Sequence, residues 1–189
     1  MFSPDLELSS STQPDYKNFY AIIEKIGKRK LVPKGKLIIR KGSHAAAFYY
    51  IRKGAFKTVV KTPHKNYILA FTFDDDIECC PTALLNNLPN NLDVEAVIDS
   101  EVLVCDIDTL KKEAGGQEYF KIVCNILHHY AIFLETQLIA SLSLTAEQRY
   151  HNLLLQQPDK IKQIPLSHIA SYLGITLERL SRIRKKLKG

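Results

Sequence analysis

The spacing of apolar residues changes period several times along this chain. In "DYKNFYAIIEKIGK", Phe19, Ile22, Ile23 and Ile26 recur at helical spacing, which predicts a short amphipathic helix. From about Leu31 the texture shortens. "KLIIRKG", "AFYYIRKG", "AFKTVVKT", "YILAFTF", "LDVEAVI" and "EVLVCDI" are β-branched and aromatic runs separated by Gly, Asn, Asp and Pro, the pattern of many short strands joined by turns. Near residue 115 helical spacing returns in "QEYFKIVCNILHHYAIFLETQLIASLSL", which has no Pro or Gly; here Phe120, Val123, Leu127, Tyr130 and Leu134 alternate three- and four-residue steps. The stripe continues through Ile126, Phe133, Leu138 and Leu142, more than a small domain covers on one face. A second copy of the chain is the simplest cover, and burial against the β-rich region is the other.

The next segment, "LTAEQRYHNLLLQQP", opens with Thr145 placed to cap a helix, Gln148 placed to reach back to it, and Pro158 closing the run. The tail "HIASYLGITLERLSRIRKKL" then fills every slot of a bihelical unit. Ile169 and Leu173 supply the first helix, Ala170 the close contact, Gly174 the positive-φ turn, Ile175 the turn anchor, and Leu180, Ile183 and Leu187 the second helix. Thr176 caps that second helix and leaves Leu177, Glu178, Arg179, Ser181 and Arg182 on its exposed N-terminal side, where a helix-turn-helix enters the major groove. Arg forks onto guanine there, while flanking Ser167, Lys185 and Lys186 suit phosphates. An ordinary helical hairpin with a solvated basic face is the competing reading.

Charge sharpens this picture. The formal net charge is +6, and beyond residue 158 eight basic residues stand against two acidic ones, so the tail carries the whole surplus. A neutral body with a basic end suits a polyanionic partner. Composition, with 46% hydrophobic and 24% charged residues, is that of a soluble globular protein. The N-terminus has neither a basic nor an apolar targeting region, and no run has the unbroken apolar length that crosses a bilayer, so a cytoplasmic protein without membrane contact is expected.

Over nearly its whole length the sequence resembles the Crp/Fnr superfamily of transcription regulators. "VPKGKLIIRKGSHAAAFYYIRKGAFKT" matches the roll motif, with Gly35, Gly42 and Gly54 at turns and Phe48 to Ile51 as the aromatic strand. "IASYLGITLERLSRIRKKL" matches the recognition segment, with Glu178, Ser181 and Arg182 at base- and phosphate-contacting positions. The resemblance implies an α+β fold: a leader and short helix over 1–30, an antiparallel, jelly-roll-like β-roll of the cyclic-nucleotide-binding type over 31–114, a dimerisation helix over 115–144 and a helix-turn-helix over 145–189. It also implies a homodimer on palindromic double-stranded DNA, with half-sites about one helical turn apart, and RNA polymerase as a further partner.

Two departures from the family pattern stand out. Only Lys188 and Gly189 follow Leu187, so the usual β-hairpin wing is not expected. In "FDDDIECCPTALLNNLPNNLDVEAV", Cys79 and Cys80 align with the Gly-Glu pair of the cyclic AMP cassette, and Asn90 and Asn91 with its Arg and neighbour. These four residues mark the effector pocket, and Asp74, Asp75, Asp76 and Glu78 add negative charge where an anion would sit, so the effector is expected not to be cyclic AMP.

No cofactor or metal is expected. Cys79, Cys80, Cys105 and Cys124 lack the grouping of an iron–sulfur site. Vicinal Cys79 and Cys80 read either as small apolar residues or as an oxidant sensor, and His128 and His129 as helix-surface and interface residues without further ligands. No nucleophile–base pair, P-loop or metalloprotease helix points to an enzyme. The rival function is a small-molecule or protein-interaction module whose helix-turn-helix does not read DNA.

Overall fold

A computed structural model describes residues 17–44, 46–86, 88–156 and 158–187. The leader over 1–16, and Lys188 and Gly189, after which no wing is expected, lie outside the described residues.

Helix α1 (Lys17–Ile26) buries Phe19 and Ile23, as its spacing predicts. Eight strands follow: β1 (Lys28–Val32), β2 (Leu37–Ile39), β3 (Ala47–Lys53), β4 (Ala55–Lys61), β5 (Asn66–Phe73), β6 (Ile77–Glu78), β7 (Asp93–Ala96) and β8 (Ser100–Asp106). They form two antiparallel sheets, ordered β1-β8-β3-β6 and β2-β7-β4-β5. Strand alternation gives each sheet two apolar faces. On β8, Val102 joins Ile39, Ile51, Phe56 and Val94 in one buried cluster, while Leu103 and Cys105 face a helix-covered cluster with Phe19, Phe48 and Leu110.

The roll begins at Lys28, three residues before the expected boundary. Four of the five residues of β1 are exposed because it is an edge strand, so its basic KRK run hid it in the sequence. Two short helices were also not foreseen: α2 (Pro81–Asn86), and α3 (Ile107–Ala114), where Asp106 accepts the Thr109 N–H at 2.9 Å as cap.

Gly54 is the tightest point of the roll. Its φ is +133° and its N–H donates to Asp74 Oδ1 at 2.5 Å; a Cβ there would overlap Ser100 of β8. Gly54→Ala is expected to destabilise the fold by about 2 kcal/mol or more, read as a lower urea midpoint at unchanged slope.

Helix α4 (Gly116–Ser143) spans 28 residues. Its first half buries Ile122, Val123 and Ile126 in the cluster shared with α1 and α3. Val123, expected in the dimer seam, therefore packs on the roll, and Leu127 is partly packed there too. Tyr130 is half-buried, whereas Phe120, Leu134, Leu138 and Leu142 are exposed. By length and mean hydropathy, 1.2 over an 18-residue window, α4 is apolar enough to cross a membrane, although Glu135 interrupts its apolar run. Its apolar residues divide between a face that covers the roll and one left open.

The C-terminal part comprises α5 (Ala146–Gln156), α6 (Leu166–Leu173) and α7 (Leu177–Lys186). The predicted capping box is formed at α5: Thr145 Oγ1 accepts from Gln148 N–H at 3.3 Å, and Gln148 Oε1 accepts from Thr145 N–H at 2.9 Å.

Candidate nucleic-acid interface and effector cavity

Helices α6 and α7 form the predicted bihelical unit. Gly174 adopts φ 69°, and the Ile175 N–H returns to the Ala170 carbonyl at 3.0 Å, which ends α6 and turns the chain. Thr176 then accepts the Arg179 N–H at 3.2 Å and starts α7. Ile169, Ala170, Leu173, Leu180 and Ile183 are buried together with Tyr150 and Ile161. Leu187, expected on this apolar face, is 42% exposed.

The opposite side of α7 collects the residues expected to meet DNA. Thr176, Leu177, Glu178, Arg179, Ser181, Arg182, Lys185 and Lys186 are all exposed, as is Ser167 on α6. Among the described residues no salt bridge engages Arg179, Arg182 or Lys185. Lys186 is held by Glu147 of α5 at 2.9 Å. Its own backbone N–H, then the Thr176 hydroxyl and the Arg182 charge, keep the Glu178 carboxyl below the usual range, so it is an anion at neutral pH.

The unit is docked on the roll. Ala55, Phe73 and Val97 belong to its buried cluster, and Ser171 Oγ donates to the Asn66 carbonyl at 3.3 Å. Lys160 Nζ donates to the Asp74 carbonyl at 3.0 Å. Lys57 stands 2.9 Å from Glu95 and 3.3 Å from His168 Nε2. Arg149 donates to the Leu173 carbonyl at 2.8 Å, satisfying the end of α6.

A cavity of about 360 Å³ lies between β4, β5 and β6 of the roll and the middle of α4. Phe71, Ile77 and Leu92 line it from the roll, and Tyr130, Phe133 and Leu134 from α4. Its polar lining includes Thr72, Asp76, Glu78, His129 and Gln137, and among the described residues no Lys or Arg lines it.

Of the four residues expected to mark the pocket, only Cys79 lines this cavity. Cys80 is buried with Sγ 3.6 Å from Asn91 Oδ1, and Asn90 staples the β2–β3 loop, donating from its N–H to the Ser43 carbonyl and from Nδ2 to Ser43 Oγ, both at 2.8 Å. Two of the three aspartates are also placed differently from the expectation. Asp74 accepts from Gly54 N–H and Asp75 from the Tyr50 hydroxyl at 2.8 Å, so both build the turn, and only Asp76 of the three reaches the cavity. Burial pushes the Cys79 thiol well above its ordinary value and Cys105 up to about 11, which disfavours the reactive thiolate.

Glu78, expected to add negative charge where an anion would sit, does line the cavity and is 8% exposed. Thr72 Oγ1 donates to its Oε2 at 3.0 Å. Burial raises its carboxyl from 4.5 to about 7, against the pull of Thr72 and the Cys79 N–H. Between those values the folded state binds more protons than the unfolded one, so this group's contribution to stability falls as pH rises through that window. Glu78→Gln is expected to flatten that slope and add on the order of 2 kcal/mol at about pH 8, read from urea midpoints above and below the window.

Residues 29–114 match the family model described as a cyclic nucleotide-binding domain. No curated protein matches significantly. FixK2 from Bradyrhizobium japonicum superposes with a TM-score of 0.77 at 22% identity, over 86% of this chain and 85% of that one. The c-di-GMP-responsive global regulator CLP from Xanthomonas campestris gives 0.69 at 13% identity over 91% of each chain. A Eubacterium rectale protein assigned to the Crp/Fnr family of transcriptional regulators gives 0.67 at 13%, over 93% of this chain and 87% of that one. At these identities the likeness is one of fold. Residues 29–114 are thus similar to the cyclic nucleotide-binding domains, and roll, long helix and C-terminal helices together share the fold of FixK2 and of the Eubacterium rectale Crp/Fnr-family protein.

Proposed function

We propose that this chain is a homodimeric, sequence-specific DNA-binding transcription regulator, not an enzyme, acting in the cytoplasm on a palindromic operator and with RNA polymerase. The observation that carries this reading is the exposed face of α7, where Arg179, Arg182 and Lys185 stand without salt bridges among the described residues, on a helix fixed by a buried apolar face. Arg179 and Arg182 are one helical turn apart, which suits adjacent base edges, while Ser167 and Lys185 flank them for phosphates. Exposed Leu134, Leu138 and Leu142 on α4 support pairing with a second copy, which brings two recognition helices to one duplex.

The roll cavity is the effector site in this reading. Gln137 and Phe71 line it, and both also touch the DNA-binding unit: the Tyr172 hydroxyl lies 3.1 Å from Gln137 Oε1, and the Tyr172 ring 5.5 Å from that of Phe71. Occupancy of the cavity would act on α6 through Tyr172.

Selection of bound sequences from a random duplex pool tests the proposal. At one fixed salt the selected operator should bind at least about a thousandfold more tightly than random duplex. Equal affinity for all duplexes would favour an interaction module whose helix-turn-helix does not read DNA.

A further inference from the structure

We propose that the cavity between the roll and α4 takes an apolar ligand carrying a protonated amine, which docks on the Glu78 carboxylate. Its role as an effector rests on the regulator reading, but its binding does not.

The cavity volume, about 360 Å³, lies in the range of small-molecule sites. Phe71, Phe133 and Leu134 offer apolar walls that favour a ligand body with little polarity. The polar end is one-sided. Glu78 and Asp76 both reach the cavity, and the Asp76 carboxylate is already engaged by the Phe73 N–H at 2.7 Å. Glu78 receives one hydroxyl, from Thr72, and the Cys79 N–H. An ionised carboxylate accepts about four hydrogen bonds, so capacity remains for a ligand donor.

Cations that could neutralise an anionic ligand are committed elsewhere. Lys57 pairs with Glu95 and Lys61 with Asp93, while Lys160 holds the Asp74 carbonyl and sets its charge against Asp76 without lining the cavity. The groups facing Glu78 are Asp76 and Cys79 from its own segment, Thr72 from β5, Tyr49 across the β3–β6 ladder and Tyr130 from α4, and His129 of α4 lines the same cavity. Burial and His128 hold the His129 ring below its ordinary value, so it is neutral at pH 7 and adds no positive charge. A ligand anion would meet two carboxyl groups, whereas an ammonium would find in buried Glu78 a carboxylate without a cationic partner among the described residues.

Calorimetric titration of the full chain with 4-phenylbutylamine, 4-phenylbutanol, 4-phenylbutyrate, cyclic AMP and cyclic GMP tests this. The amine should bind about tenfold or more tighter than the alcohol, and the three anions more weakly than either. Glu78→Gln should remove the preference for amine over alcohol. In the native chain, lowering the pH through the Glu78 titration should weaken the amine and leave the alcohol unchanged, an arm that stands even where the variant does not fold. Equal binding of amine and alcohol, tighter binding of any anion, no binding of the amine, or a preference retained in folded Glu78→Gln would overturn the inference. Operator binding measured alongside separates the two readings. Specific DNA binding without amine preference sinks only the ligand class, and amine preference without specific DNA binding sinks only the regulator.

Discussion

Leu138→Glu is expected to leave the chain folded, make it monomeric and lower operator affinity by about 10² to 10⁴-fold. Leu138 is 60% exposed and Leu142 80%, so within one chain neither has a core to lose. In a dimer on this face the new carboxylate would be buried against Leu134, Leu138 and Leu142 of a second copy without a cation, and desolvating an unpaired charge costs more than such a contact returns. Once the chains separate, each binds a half-site alone, and the avidity of two linked helices disappears. Sedimentation reports the mass, fluorescence anisotropy the affinity, and thermal unfolding the integrity of the monomer. A variant that stays dimeric with full operator affinity would move the interface off α4. Leu127 is a poorer probe, because its side chain partly packs on the roll and the substitution would also damage the fold.

Arg182→Ala is expected to cost about 1 to 3 kcal/mol per half-site and to relax preference at one base pair in each. The residue is exposed on a helix whose other face, Leu180 and Ile183, is buried, so the backbone beneath it is held while the guanidinium is free to fork onto a base. Truncation at such a site removes binding without changing stability. Lys186→Ala serves as the contrast. Its ammonium is shared with Glu147, so it offers a duplex only part of its charge, and its loss should weaken all sequences slightly and equally. Affinity of each variant for the selected operator and for single-base variants, at one salt, separates the two. A uniform loss for Arg182→Ala would remove it from base readout.

The bihelical unit of α6 and α7 was legible because its determinants are local. The positive φ of Gly174, the cap at Thr176 and the buried Leu180 and Ile183 all lie within fifteen residues, and each is dictated by backbone sterics or a helical period. The Thr145–Gln148 box was legible for the same reason. The cavity was not. Whether Glu78 or its cysteine neighbours face inward depends on the register of a two-residue strand, β6, against β3, and a one-residue slip in a strand exchanges its faces.

The sequence alone therefore determined the succession of a β-rich body, a long apolar helix and a basic bihelical end, since period, turn residues and charge are written in neighbouring positions. Only the tertiary structure decided how the long stripe divides: Val123 and Ile126 cover the roll, while Leu134, Leu138 and Leu142 stay open. It alone docked α6 on the roll through contacts such as Lys57 with His168, 111 residues apart, and folded Glu78 into an apolar cavity. Such contacts follow from which surfaces pack across the whole chain, and a local period carries no information about the partner that buries it.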